Sequence, residues 1–158
     1  MTDKSELKFT ITDFNEGLEP LVIEFFDAMG GETRALFNRR GYNLRGALRA
    51  CRTEDKTRKY IAFLSDEKMI GYAFFLDYDK GVPELGLAVR DDMRGMGIGR
   101  SICTYAIEHA RREGFGGIYL TTHLANVRAQ ALYEKLGFKL IGPAKDGSEL
   151  AYLLKLSR

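Results

Sequence analysis

The chain is short of several things, and each shortage excludes a class of protein. It has two cysteines in 158 residues. Cys51 and Cys103 stand in no C-x-x-C or other metal-ligand spacing. That argues against a disulfide framework and a thiolate metal site, and fits two reduced thiols in the cytoplasm. Net charge is only +2, too little for an overall field that would draw the chain to nucleic acid. No apolar run approaches the roughly 20 residues of a membrane span. The opening Met-Thr-Asp-Lys-Ser-Glu is polar and acid-containing, where a secretory signal needs an apolar core. No repeat, linker or low-complexity segment divides the sequence, so a single domain over 1–158 is expected, long enough for a real core.

What is present centres on Glu84 to Arg112. Leu85, Leu87 and Val89 alternate with Glu84, Gly86 and Ala88, the period of a strand. Ile98, Ile102, Tyr105, Ala106, His109 and Ala110 fall on one face of a helix. Between them lies Arg94-Gly95-Met96-Gly97-Ile98-Gly99. A glycine turn that opens a helix presents unpaired N–H groups and the positive end of the helix dipole. Glycine lets an anion approach the backbone, and Arg94 and Arg100 add fixed charge. The turn therefore suits a phosphate or pyrophosphate; the alternative is a tight turn with no ligand. The glycine spacing is not G-x-G-x-x-G, and no G-K-[ST] follows, so neither the dinucleotide fold nor the P-loop applies.

The remaining pattern predicts strands at 7–14, 59–65, 69–77, 116–122, 138–141 and 149–156. It predicts helices at 18–29, with Pro20 in the first turn, and at 44–52, joined through Gly41-Tyr42-Asn43 to a short helix at 32–37. Asp66-Glu67-Lys68 makes a hairpin, and Asn126 caps a helix carrying Ala129, Leu132, Tyr133 and Leu136. The strand at 116 follows the Glu84 strand through a helix, so that pair is expected to be parallel.

The pattern R-x-x-G-x-G at Arg94 to Gly99 resembles the acetyl-CoA pyrophosphate loop of the GNAT superfamily of N-acetyltransferases. Asn126-Val-Arg-Ala-Gln-Ala-Leu-Tyr133-Glu-Lys-Leu-Gly-Phe138 resembles that family's N-x-x-A-x-x-L-Y-x-x-x-G-F segment, in the same order and at the same separation. The resemblance implies an α/β (α+β) fold, a single mixed, mostly antiparallel central sheet of about seven strands with helices on both faces. It implies acetyl-CoA as cosubstrate, no metal, and direct attack of a primary amine, of a small molecule or protein, on the thioester. It further implies that the backbones of Leu87 and Val89 bind the pantetheine arm like an added strand. Arg94, Gly95, Met96, Gly97, Ile98, Gly99 and Arg100 would hold the pyrophosphate, and Asn126 would face the pantetheine or pyrophosphate. Tyr133 would point at the thioester sulfur as general acid. Many similar proteins are homodimers.

Acetyl transfer needs an amine that loses its proton, a donor for the oxyanion, a proton for the thiolate and alignment of the substrates. Glu84 is a candidate base with Gly86 and Ala88 leaving room on its face; otherwise it is a surface glutamate after Pro83. Without the resemblance, Tyr133 reads as core filler and Asn126 as a helix cap. His123 ends a strand and could be a base of near-neutral pKa or a hydrogen-bonded surface histidine, while His109 lies in a packed helix stripe. Arg45, Arg49 and Arg52 share a helix face in an arginine-rich stretch, Arg34 to Lys59. It reads as a solvated face, a site for an acidic acceptor or an RNA patch. A sensor that binds acyl-CoA without turnover is the other function class compatible with the motifs.

Overall fold

The structure, a computed structural model, describes residues 8–31 and 42–156. Its elements are β1 (Thr10–Asp13), α1 (Glu19–Asp27), α2 (Leu44–Arg52), β2 (Arg58–Ser65), β3 (Lys68–Leu76) and β4 (Glu84–Val89), then α3 (Ile98–Arg112), β5 (Gly117–His123), α4 (Val127–Lys135), β6 (Lys139–Ala144) and β7 (Glu149–Lys155). The strands form one seven-stranded sheet in the order β1-β2-β3-β4-β5-β7-β6. β4 and β5 are parallel, as expected of strands joined through a helix. The other neighbours are antiparallel.

Alternation along the strands builds two cores. On one face Ile98, Ile102 and Ala106 of α3 and Tyr133 of α4 pack on Phe75, Leu85, Ile118 and Leu120. On the other, Val22, Phe25 and Phe26 of α1 and Ala47 and Cys51 of α2 pack on Tyr60, Tyr72 and Phe74. Both cysteines are buried and free. Burial pushes the Cys103 thiol up to about 12, so it offers no thiolate at neutral pH.

Several boundaries move from the sequence reading. The first strand begins at Thr10, and the expected helix at 32–37 lies outside the described residues. A 3-10 turn, Glu16–Leu18, capped by Asn15, precedes α1 and takes its predicted first residue. The strand expected to end at Ile141 runs on to Ala144. Gly142, at φ 141°, absorbs a register shift, and Pro143 is tolerated because β6 is an outer strand that needs no donor on its open side. In the β2–β3 hairpin Asp66 and Glu67 both take positive φ, 51° and 61°, as a two-residue turn matched to strand twist requires.

Gly86 is not beside an open space. A Cβ there would fall on the ring of Phe74, which crosses β4 at that point and is fully buried. Gly86→Ala is therefore expected to cost about 1–3 kcal/mol by overpacking, read from urea denaturation, whereas Gly81→Ala, where a Cβ would meet nothing, leaves stability within about 0.5 kcal/mol.

His109 is packed: its Nε2 lies 2.8 Å from the Tyr78 hydroxyl, and its ring stacks between Phe75 and Tyr105. Burial lowers its pKa, with Lys59 and Arg112 lowering it further and Glu113 and Asp13 opposing. The folded state thus holds the neutral ring, while the unfolded chain takes up a proton near pH ~6.5. This contribution to stability is whole above that pH and is lost as pH falls through the lowered folded value. Denaturation midpoints at pH 7.5 and 5.5 should differ less in His109→Gln than in the parent chain.

Candidate active site

β4 and β5 meet at a single register pair, Glu84 with Tyr119, where the Tyr119 N–H donates to Pro83 O at 3.0 Å. Beyond it the strands part. Leu87 and Val89 share parity, so both present backbone groups to the gap. The gap is a cleft of about 220 Å³. β4 and β5 form its sides, the glycine turn stands at one end, and α4 closes the α3/α4 face.

The turn has the geometry an anion needs. Gly95 and Gly97 adopt φ 80° and 77°, a region that L side chains rarely enter. Gly97 caps α3, whose first internal bond is Ser101 N–H to Gly97 O at 3.1 Å. The N–H groups before Ser101 therefore point out of the helix end, at its positive pole.

The turn is held from the α1 side. Arg90, 6% exposed, closes β4 with a bidentate pair to the Glu24 carboxylate of α1 and a 3.0 Å bond to Asp92 Oδ1. The Arg90 guanidinium holds the Glu24 carboxyl below its usual range. Asp91 accepts from the Gly30 N–H at 2.6 Å and pairs with Arg94 at 3.2 Å. The loop into the glycine turn is thus pinned to the end of α1.

Of the residues expected at the site, Leu87, Val89, Arg94, Gly95, Gly97, Ile98, Gly99, Asn126, Tyr133 and His123 line the cleft. Met96, Arg100 and Glu84 do not. Met96 packs on the core. Glu84 sits half-buried at the closed end of the fork, and the room expected beside it is filled by Phe74 at Gly86. Its neighbour Tyr119 has a pKa raised by burial and then by the Glu84 carboxylate.

Asn126 caps α4, its Oδ1 accepting from the Ala129 N–H at 3.2 Å. The cap aims α4 so that Tyr133 faces the cleft. Tyr133 is 6% exposed, with Phe138 and Tyr152 rings at 5.7 and 6.1 Å. His123 Nδ1 accepts from the Ala125 N–H at 3.0 Å. That bond favours the tautomer whose proton is on Nε2.

Sequence reasoning missed Tyr42, Thr121, Thr122 and Arg128, which also line the cleft. Tyr42 precedes the Asn43 cap of α2, a position with no chemical motif to mark it. The arginines of α2 go elsewhere. Arg49 and Arg52 line a separate groove of about 660 Å³ among acids such as Asp13, Glu16 and Glu54, and Arg52 pairs with Glu19.

An open strand edge, a helix end with outward N–H groups and a phenol facing the gap suit a phosphorylated cosubstrate laid along a strand. Comparisons with known proteins give the family. Residues 22–138 match the model of the acetyltransferase (GNAT) family, and the chain belongs to that family. It is 27% identical over 130 residues to the L-methionine sulfoximine/L-methionine sulfone acetyltransferase of Pseudomonas aeruginosa, covering 78% of this chain and 76% of that one. It is 32% identical over 76 residues to the ribosomal protein bS18 alanine N-acetyltransferase of Escherichia coli, covering 44% and 51%. Among solved structures, the GNAT domain of S. lividans PAT superposes with a TM-score of 0.83 at 13% identity, covering 97% and 93% of the chains. A putative acetyltransferase of Salmonella typhimurium, solved with its cofactor acetyl-CoA, gives 0.72 at 20%, covering 96% of each. The chain is an acetyl-CoA-dependent N-acetyltransferase. Among the described residues no group of His, Cys, Asp and Glu is placed to hold a metal ion.

Gly97→Glu sets a carboxylate at the anion site and strains the turn. Acetyl-CoA affinity, measured by calorimetry, should fall at least about a hundredfold, the loss of one or two charge-assisted hydrogen bonds. Gly147→Glu, also at positive φ, 91°, but outside the cleft, should leave binding unchanged.

Proposed function

We propose that the chain acetylates the α-amino group of an amino acid or of a peptide N-terminus. The fork between β4 and β5, running from the glycine turn to Tyr133, is the observation that carries the site. The pantetheine arm pairs with the backbones of Leu87 and Val89, and the pyrophosphate rests on the N–H groups from Arg94 to Arg100 with Arg94 as counter-charge. Tyr133 gives its proton to the departing thiolate. Glu84 takes the proton of the ammonium through water, since it stands outside the cleft lining. The acceptor class is supported by two relatives, one named for an amino-acid derivative and one for a ribosomal-protein alanine. The separate placement of the α2 arginines gives no support to an acceptor chosen for its acidity.

The one-domain arrangement over 1–158 and a cytoplasmic homodimer complete the proposal. For the dimer the support is the outer strand β6, where Leu140 and Ile141 are 52% and 55% exposed.

The test is free-thiol release from acetyl-CoA with a panel that includes L-methionine sulfone and an alanine-terminated peptide. Turnover with an α-amine is expected. In Tyr133→Phe and Glu84→Gln, kcat should fall about 10²- to 10⁴-fold with coenzyme A affinity kept. Tight acetyl-CoA binding with no thiol release from any amine would instead establish a sensor.

A further inference from the structure

The Leu87 N–H, a group given above to the cosubstrate, is already engaged: it donates to the Tyr42 hydroxyl at 3.1 Å. Tyr42 comes from the other face of the sheet. Its ring stands edge-on to Phe74, with centroids 4.7 Å apart at 81°. Phe74 in turn lies across Gly86, which has no Cβ to keep it off. The next residue, Asn43, caps α2 with its Oδ1 accepting from the Gly46 N–H at 2.7 Å, which fixes the backbone from which Tyr42 projects. The phenol is thus delivered to one backbone N–H of β4 by a glycine, an aromatic ring and a helix cap.

The position of that N–H along the fork decides what meets it. The parallel pair Glu84–Tyr119 closes the fork. In a parallel ladder the bonds around such a pair engage β4 up to Leu85, so Leu87 bears the first edge N–H beyond the closure. A cosubstrate anchored by its pyrophosphate at the glycine turn runs along β4 past Val89 and reaches Leu87 last. Its last polar group is the thioester carbonyl. Tyr133 lines the same cleft from the opposite face.

We propose that Tyr42 is a catalytic residue, its hydroxyl forming with the Leu87 N–H a two-donor site for the thioester carbonyl oxygen. This rests on the cosubstrate placement described under Proposed function. The arriving oxygen takes the Leu87 N–H, and the displaced phenol turns its O–H onto the same oxygen. The amine nitrogen attacks the carbonyl carbon, the C–N bond forms, and the C=O pair moves onto oxygen between the two donors. When that pair returns, the C–S bond breaks and its electrons leave on sulfur, which takes the Tyr133 proton. The ammonium proton leaves by way of water to Glu84. Tyr42 serves the oxygen and Tyr133 the sulfur.

Tyr42→Phe keeps the ring against Phe74 and removes only the hydroxyl. Two acceptor-independent probes isolate the contact: the dethia analogue of acetyl-CoA, in which a methylene replaces the sulfur and the ketone carbonyl keeps its place, and S-ethyl-CoA, which has no carbonyl. In the variant the preference for the dethia ketone over S-ethyl-CoA should fall about 3- to 10-fold, as one hydrogen bond requires. The Leu87 amide resonance of the ligand-free protein should move upfield. With L-methionine sulfone as acceptor, kcat should fall about 10²-fold. An unchanged preference and kcat would overturn the proposal. So would tighter binding of both probes at unchanged kcat, which would make the phenol a plug. Failure of the parent chain to bind either probe would overturn the cosubstrate placement itself, and is distinguishable because it precedes any substitution.

Discussion

A single parallel bridge governs this molecule. Had β4 and β5 paired along their length, the sheet would be continuous and the edge of β4 spent on β5. Pairing stops after Glu84–Tyr119, and β5 takes β7 as its full-length partner instead. The backbone of β4 is then left with donors and acceptors along a gap. An open edge in mid-sheet is costly unless something fills it. Here a side chain answers part of that demand, the Tyr42 hydroxyl on the Leu87 N–H, and a ligand strand suits the rest.

The two faces of the sheet supply different halves of the chemistry. From the α3/α4 face come the helix end with its outward N–H groups and the phenol of Tyr133, both positioned by helices packed in one core. From the α1/α2 face comes Tyr42, positioned by rings in the other core. The Arg90–Glu24 pair links them by fastening the end of β4, where the turn begins, to α1. An exposed ion pair would contribute little. Arg90 is only 6% exposed, and its desolvated guanidinium needs both Glu24 and Asp92 for compensation, which constrains where the turn can sit.

Most of the elements were legible in the sequence because their periodicity is local: the glycine turn, α3, the α4 cap and the β2–β3 hairpin all read from neighbouring residues. Their full sheet order is a tertiary fact that no local pattern states; the expectation of one mixed seven-stranded sheet came with the family resemblance. The failures have the same cause. Gly86 and Ala88 suggested room beside Glu84, but the volume belongs to Phe74, a residue of the adjacent strand. Ile141 looked like a strand end before Gly142-Pro143, though an outer strand carries both. Tyr42 had no signal at all. Its importance depends on a backbone N–H 45 positions away, and no pattern of side chains reports where a backbone donor is left over.

The same geometry decides from which side the acceptor arrives. With the cosubstrate along the missing strand as proposed, an attacking nitrogen comes from above or below the sheet. Below, on the α3/α4 face, Ile98, Ile102, Tyr133 and Leu120 fill the core. Above, the cleft is lined by Tyr42, Ala88, Thr121 and His123. Glu84 and Tyr119 occupy the same side at the closed end, because they alternate with Leu85 and Leu120, which point into the other core. On the proposed placement the amine enters over the α1/α2 face, where Glu84 stands at the closed end of the fork and Glu149 lies across from His123 on the same face. His123 is nearer the opening, but its Nδ1 is committed to the Ala125 N–H. With Nε2 turned toward the cleft it can donate to a carbonyl or carboxylate there. The proposed roles of water and Glu84 in proton removal are compatible with that arrangement.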